Sequence, residues 1–301
     1  MKYAFFPGCV SKGACPELYQ SVMQVYPKLG IDLEEMTTAS CTGAGVLQEK
    51  DEKLGDALNA RTFALAEKQG LPIMTICSTC QGVMSQANHR LINDADYLNS
   101  INDMLQEEGL TYRGTTTIKH FLWILLEDVG EETLRQAITK PLTGLRAAPF
   151  YGCYIQRPTE ALEFEEHPGR GKSLERIMEI LGVEVVDFPG KTRCCGFPIL
   201  TINKINSLSM VATHTRDAKS HGADIMVTPC PLCHLNLDGM QSQAAKQEHT
   251  SIDLPILHLP QLLGLAMGFN PKTLGLQRNL ISPESALAKI AIERSSNTVE
   301  P

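Results

Sequence analysis

Short apolar runs alternate with longer segments of helical period along most of this chain, and the order in which they come is repeated. In the first half, residues 3–6, 31–36 and 73–77 are β-prone runs of strand length. Helices are expected from Pro16, which suits a first helical turn, over 54–68, and through 81–89. The second half follows the same order, with strands over 148–151, 183–188 and 225–228 and helices over 173–181 and 204–221. Each half closes with an apolar segment read as a helix that opens on a histidine, His120 in 120–126 and His258 in 258–265. Strands alternating with helices predict parallel sheets, so the fold class is α/β in two halves. The expected boundaries are 1–145, 146–270 and an extension over 271–301, which carries a short helix over 283–293 and a polar, disordered end from Ser295.

Cysteines sit on this frame with a repeated spacing. Cys153 is followed after 40 residues by Cys194-Cys195-Gly196, and Cys230-Pro-Leu-Cys233 begins 34 residues after Cys195. In the first half Cys9 is followed after 31 residues by Cys41-Thr42-Gly43, and Cys77-Ser-Thr-Cys80 begins 34 residues after Thr42. The chain is an internal duplication in which Thr42 stands where the second copy has Cys195. Every group follows a strand, at its carboxyl end, where open α/β sheets bind ligands. The small residues from Cys41 to Gly45 let backbone N–H groups approach an inorganic sulfide. Cys80 is expected to begin a helix, whose dipole and free N–H groups favour a thiolate.

Composition narrows the chemistry. A length of 301 residues suits two domains, and 43% hydrophobic with 20% charged residues is ordinary for a globular protein. A formal charge of −7 with no basic stripe argues against a nucleic-acid partner. The start lacks the apolar core of a secretory signal, so a cytoplasmic chain is expected. No stretch is long enough to span a membrane: the apolar 259–269 and 121–126 segments are expected to pack in the core, with peripheral contact on the cytoplasmic membrane face as the alternative. Ten cysteines in a reducing compartment point to ligands or redox groups rather than structural disulfides.

Two adjacent thiols cannot easily bridge to each other, and Cys194 and Cys195 have distant partners on both sides, which suggests a metal cluster. Iron–sulfur clusters are held by cysteine thiolates, and a fifth cysteine exceeds what a cubane needs. Structural zinc takes four ligands, usually from two closely spaced CxxC knuckles, so it suits the four-cysteine first half better than the second. Cys230-Pro-Leu-Cys-His234 has the form of a haem attachment site and Cys77-Ser-Thr-Cys80 that of a redox pair, but either reading leaves the repeat unexplained. Cys15 lies outside the repeat, as a free thiol near a helix start or a replacement for the missing fifth ligand. His120 and His258 read as caps or core residues. Arg157 and Arg193 are candidates to compensate an anionic cluster or bind an anionic substrate.

Phe-Pro-Gly-Cys9, Tyr-Gly-Cys153-Tyr-x-x-Arg-Pro158, Cys194-Cys195-Gly-Phe-Pro198 and Cys230-Pro-Leu-Cys-His-Leu-Asn236 closely resemble the CCG-domain family, specifically the B subunit of heterodisulfide reductase, over residues 3 to about 270. The resemblance implies two pseudo-twofold-related α/β halves, each with a cluster at the same end. It further implies a noncubane [4Fe–4S] cluster on Cys153, Cys194, Cys195, Cys230 and Cys233, where disulfide and thiol redox chemistry takes place. The first set matches at Cys9, Cys41, Cys77 and Cys80 but departs at Thr42, which leaves a [4Fe–4S] cluster or zinc there. The implied role is an iron–sulfur electron-transfer subunit of an oxidoreductase complex, partnered by an iron–sulfur protein and a flavoprotein. The anchor subunit of a type E succinate:quinone oxidoreductase shares the motif set and is the alternative; a zinc-bearing assembly scaffold is the alternative of another class.

Overall fold

The computed structural model describes residues 1–296. The chain divides into two compact units, each built on a four-stranded parallel sheet. The first comprises Met1–Cys9, Gly30–Ile124 and Cys153–Gly171; the second comprises Val10–Leu29, Leu125–Gly152 and the chain from Lys172 onward.

In the first unit β1 (Lys2–Phe6), β2 (Asp32–Glu35), β3 (Ile73–Thr75) and β4 (Ile118–His120) are arranged β2-β1-β3-β4. Ala4 pairs with Glu34 on one side and Ile73 on the other, which makes β1 an interior strand. Its unbroken apolar run, buried from Tyr3 to Phe6, is what burial on both faces of a parallel sheet demands. Helices Glu52–Gln69, Ser78–Asn93 and Ala95–Leu105 supply Phe63, Met84, Leu91 and Ile101 to the core.

In the second unit β5 (Arg146–Pro149), β6 (Glu184–Val185), β7 (Ile225–Thr228) and β8 (Ile256–His258) repeat the order as β6-β5-β7-β8. Ala147 pairs with Val185 and Ile225. Helices Ser173–Ile180, Lys204–Ser220 and Pro231–Gly239 surround this sheet, and helix Pro16–Val25 packs on helix Leu259–Ala266. In both sheets the chain leaves the interior strand for one edge and returns on its other side. The carboxyl ends of β1 and β3, and of β5 and β7, therefore flank the reversal point where such sheets bind ligands.

Several expectations change in detail. His120 and His258 end strands as well as preceding helices, His258 as the N-cap residue of helix Leu259–Ala266, and β4 and β8 are fourth strands that three-residue runs did not announce. Helix Ala95–Leu105 was not anticipated either, although Ile101 and Leu105 give it a buried stripe. The residue that caps helix Ser78–Asn93 is Cys77, and Cys80 sits inside its first turn. The last helix runs Glu284–Ser296, through the start of the segment expected to be disordered; the rest of that segment lies outside the described residues. Residues 121–125 and 259–267 are buried, as expected of core segments. Among the described residues no helix is long and apolar enough to cross a membrane.

Candidate metal centres

The first unit brings Cys9, Cys41, Cys77 and Cys80 to the carboxyl ends of its strands. Cys9 and Cys41 are exposed, Cys80 half-buried and Cys77 buried. Partial desolvation pushes the thiol of the otherwise exposed Cys9 up, and the neighbouring Cys41 and Cys80 push it further. Thr42 is buried, with Oγ1 3.9 Å from Cys80 Sγ, and its carbonyl accepts a hydrogen bond from Asn59 Nδ2 at 3.1 Å. The turn before Cys77 is held by Thr75, whose Oγ1 accepts from the Cys77 N–H at 3.4 Å.

The second unit builds the corresponding loops from Cys194, Cys195, Cys230 and Cys233. Cys195, Cys230 and Cys233 are buried and Cys194 half-buried. Thr228 Oγ1 accepts from the Cys230 N–H at 3.3 Å, repeating the Thr75 bond. The double-cysteine turn is clamped from two helices: His214 Nε2 lies 2.9 Å from the Cys194 carbonyl, and Asn236 Nδ2 donates to the Cys195 carbonyl at 2.7 Å. The Gly196 N–H donates to Cys194 Sγ at 3.4 Å. Gly196 has φ +91°, and a Cβ there would lie 3.0 Å from the Ser207 carbonyl oxygen, so both conformation and space require glycine.

These thiols perturb one another. Cys195 is held well above the usual thiol range, first by its hydrogen bond with Cys194 and also by burial. Cys233 is raised in the same way by Cys195 and Cys230 and by burial. Crowded, desolvated thiols share protons because adjacent thiolates repel; a bound cation removes that penalty and favours full deprotonation. The donor set therefore fits a metal–thiolate group, and Cys194, Cys195, Cys230 and Cys233 are the residues in this unit to hold it.

Cys153 falls with residues 153–171 in the first unit. Its predecessor Gly152 belongs to the second, where it is packed so closely on Cys233 that a Cβ would lie 2.8 Å from Sγ. Segment 153–171 is fastened to helix Ser78–Asn93 by another close approach, since a Cβ on Gly82 would lie 2.5 Å from the Tyr154 carbonyl oxygen. Half-buried Cys153 and exposed Arg157 line an open cleft of about 850 Å³ within the first unit, opposite Glu49, Glu52 and Gln86. Arg193 is exposed beside Cys194.

Cys15 does not join the first set as a replacement fifth ligand. It packs in the second unit, buried, with its thiol donating to the Pro231 carbonyl at 3.6 Å. His120 is a capping residue, buried and accepting from the Leu122 N–H at 3.1 Å. The clamps Asn59 and His214 carried no signal in the cysteine spacing, because they reach the loops from helices elsewhere in the chain, whereas Asn236 ends the motif that begins at Cys230.

The model of the cysteine-rich CCG domain matches this chain twice, over residues 3–85 and 147–238. The 8-methylmenaquinol:fumarate reductase membrane anchor subunit of Wolinella succinogenes is 39% identical over 93% of this chain and 97% of its own length. The B subunit of the ferredoxin/F(420)H(2)-dependent CoB-CoM heterodisulfide reductase of Methanosarcina acetivorans is 33% identical over 96% of this chain and 97% of its own. Among solved structures, a hypothetical protein from Helicobacter pylori superposes with a TM-score of 0.74 at 17% identity, covering 93% of this chain and 52% of that one, which is a likeness of fold.

Proposed function

This chain belongs to the cysteine-rich CCG family, and from that premise we propose that it is an iron–sulfur electron-transfer subunit of an oxidoreductase complex, of the type of the heterodisulfide reductase B subunit. The second cysteine set carries the proposal: Cys194, Cys195, Cys230 and Cys233 lie beside the β5/β7 reversal point, where Cys194 raises the proton affinity of Cys195, and Cys195 and Cys230 raise that of Cys233. By the sequence repeat Cys153 is the fifth cysteine of this set, and five is the number that the family resemblance gives for a noncubane [4Fe–4S] cluster. Such a cluster supplies one-electron chemistry toward a thiol or disulfide sulfur. The chain's part is to hold the thiolates, to bury Cys195, Cys230 and Cys233 from solvent, and to fix the double-cysteine turn through His214 and Asn236. Arg157, in the cleft with Cys153, and Arg193 are the cations on hand for an anionic group. At the first set, Cys9, Cys41, Cys77 and Cys80 suit a four-thiolate cubane cluster.

Anaerobic reconstitution with iron and sulfide tests this. Iron and sulfide should bind in equal amounts, and Cys194→Ala and Cys195→Ala should each change the absorption and electron paramagnetic resonance spectra, by different amounts. Wild-type spectra in both variants would overturn the second site, and zinc in place of iron at the first would overturn the cubane assignment there.

The 39% identity to the fumarate reductase anchor subunit favours a second reading, in which the partners are a flavoprotein and an iron–sulfur protein and the chain contacts the cytoplasmic membrane face peripherally. Detergent-dependent pelleting of the isolated chain, with co-purification of a dicarboxylate-oxidising flavoprotein, supports this reading over the thiol–disulfide one.

A further inference from the structure

The second unit contains another set of metal-ligating side chains, distinct from both cysteine sets. Cys15, Glu17, His234 and His258 are all buried, and one ligand atom from each lies within 4.8 Å of all the others. A tetrahedral zinc ion with nitrogen, oxygen and sulfur ligands holds its donor atoms about 3.3–3.8 Å apart. To surround one ion the four side chains need to close by about 1 Å, and the His234 and His258 rings, stacked with centroids 3.9 Å apart at 21°, need to rotate so that both nitrogens face it.

Two buried nitrogens converge on the Glu17 carboxylate, His258 Nε2 at ion-pair distance and neither with full hydrogen-bond geometry. His258 Nε2 is 3.4 Å and His234 Nδ1 4.0 Å from Glu17 Oε1, and neither atom has a hydrogen-bond partner. The residues themselves are 0% and 3% exposed. An unpaired polar atom buried this deeply is costly, and such atoms call for a missing partner. Arg278, at 3.3 Å from Glu17 Oε2, offsets the carboxylate only from an exposed position. A divalent ion would satisfy both imidazoles and leave the site neutral, its two charges matched by the Cys15 thiolate and the Glu17 carboxylate.

We propose that Cys15, Glu17, His258 and His234 form a buried zinc site. A mixed sulfur, nitrogen and oxygen set selects a borderline metal, and four protein ligands close the shell, which is the arrangement of a structural ion. On binding, Cys15 releases its thiol proton, now directed at the Pro231 carbonyl. Asn279 Nδ2 stands 3.2 Å from His234 Nε2 and holds the imidazole proton on Nδ1. Ligation through Nδ1 therefore moves that proton to Nε2, where the Ile256 carbonyl, which also accepts from Asn279 Nδ2, takes it as a hydrogen bond. The ion would fasten helix Pro16–Val25 to the start of helix Pro231–Gly239, the turn that carries Cys230 and Cys233.

Zinc, iron and sulfide counts on the anaerobically purified full chain test this, with zinc K-edge absorption to identify the donors. About one zinc per chain should survive dialysis against chelator, with mostly nitrogen and oxygen donors and one sulfur. Cys15→Ser and His258→Gln should each remove that equivalent while iron and sulfide stay unchanged, and Cys41→Ala should leave it in place. An unchanged zinc count in both ligand variants, zinc with all-sulfur donors, or no retained zinc in the wild type would overturn the site. The wild-type absorption edge decides even if the variants fold poorly, and the iron count separates this result from the fate of the iron–sulfur proposal.

Discussion

Thr42 in the first unit and Cys195 in the second occupy the same step of a duplicated turn, and their burial is nearly identical, at 2% and 4% exposed. Substitution has not turned the first loop outward. Its carbonyl is still held by a buried asparagine, but Asn59 comes from helix Glu52–Gln69, whereas Asn236, which holds the Cys195 carbonyl, comes from helix Pro231–Gly239. The two turns thus bury the same position through different supports. A hydroxyl cannot replace a bridging thiolate, so the two centres should differ in chemistry more than in shape.

The largest test of this comparison removes one ligand from each copy. Cys230→Ser should cost about half of the bound iron if both sets hold four-iron clusters, and Cys77→Ser should remove the other half. Iron analysis of the two variants checks their independence; loss of all iron in either would mean that the copies do not load separately.

Next in size is the repair of the first copy. Thr42→Cys restores the ligand pattern of the second, so iron should hold or rise and the spectrum should gain the feature lost in Cys195→Ala. An unaltered spectrum and metal content would mean that the turns are not equivalent.

The glycines preceding Cys9 and Cys153 give a graded version of the same comparison. A Cβ on Gly152 would lie 2.8 Å from Cys233 Sγ, whereas a Cβ on Gly8 would lie 3.4 Å from Cys80 Sγ, and both residues have positive φ. Each alanine substitution should carry about 1–3 kcal/mol of backbone strain. Only Gly152→Ala should also displace a ligand sulfur, so denaturation should show similar losses of stability while reconstituted iron falls several-fold more in Gly152→Ala.

The smallest expected difference concerns pH. Burial pushes the Asp238 carboxyl up to about 6, while the matching position of the first copy is Ser85. An acid that holds its proton more tightly when folded favours folding below its unfolded value near 4. That contribution is lost as pH rises through about 6. Between pH 4 and 7 the wild type should therefore lose about 2 kcal/mol relative to Asp238→Asn. Parallel stability curves for the two proteins would refute the assignment.

What could be read along the chain was whatever local order controls. The cysteine spacing is preserved between copies, with Cys41 and Cys194, and Cys77 and Cys230, the same 153 residues apart, so the duplication and nine of the ten cysteines declared themselves. Interior strands β1, β3 and β7 were legible because burial on both faces of a parallel sheet demands an apolar run, whereas β5, Arg146–Pro149, begins two residues before the expected 148–151. The fourth strands were not, since three residues carry too little period, so His120 and His258, expected at helix openings, are strand ends as well. Tertiary structure alone decided where Cys15 belongs, because residues 10–29 pack with the second unit although they lie among the first unit's segments in sequence. It also decided that Glu17, His234 and His258 meet around that thiol. Their convergence depends on helix Pro16–Val25 packing against helix Leu259–Ala266, a contact between residues more than two hundred positions apart that no spacing rule encodes.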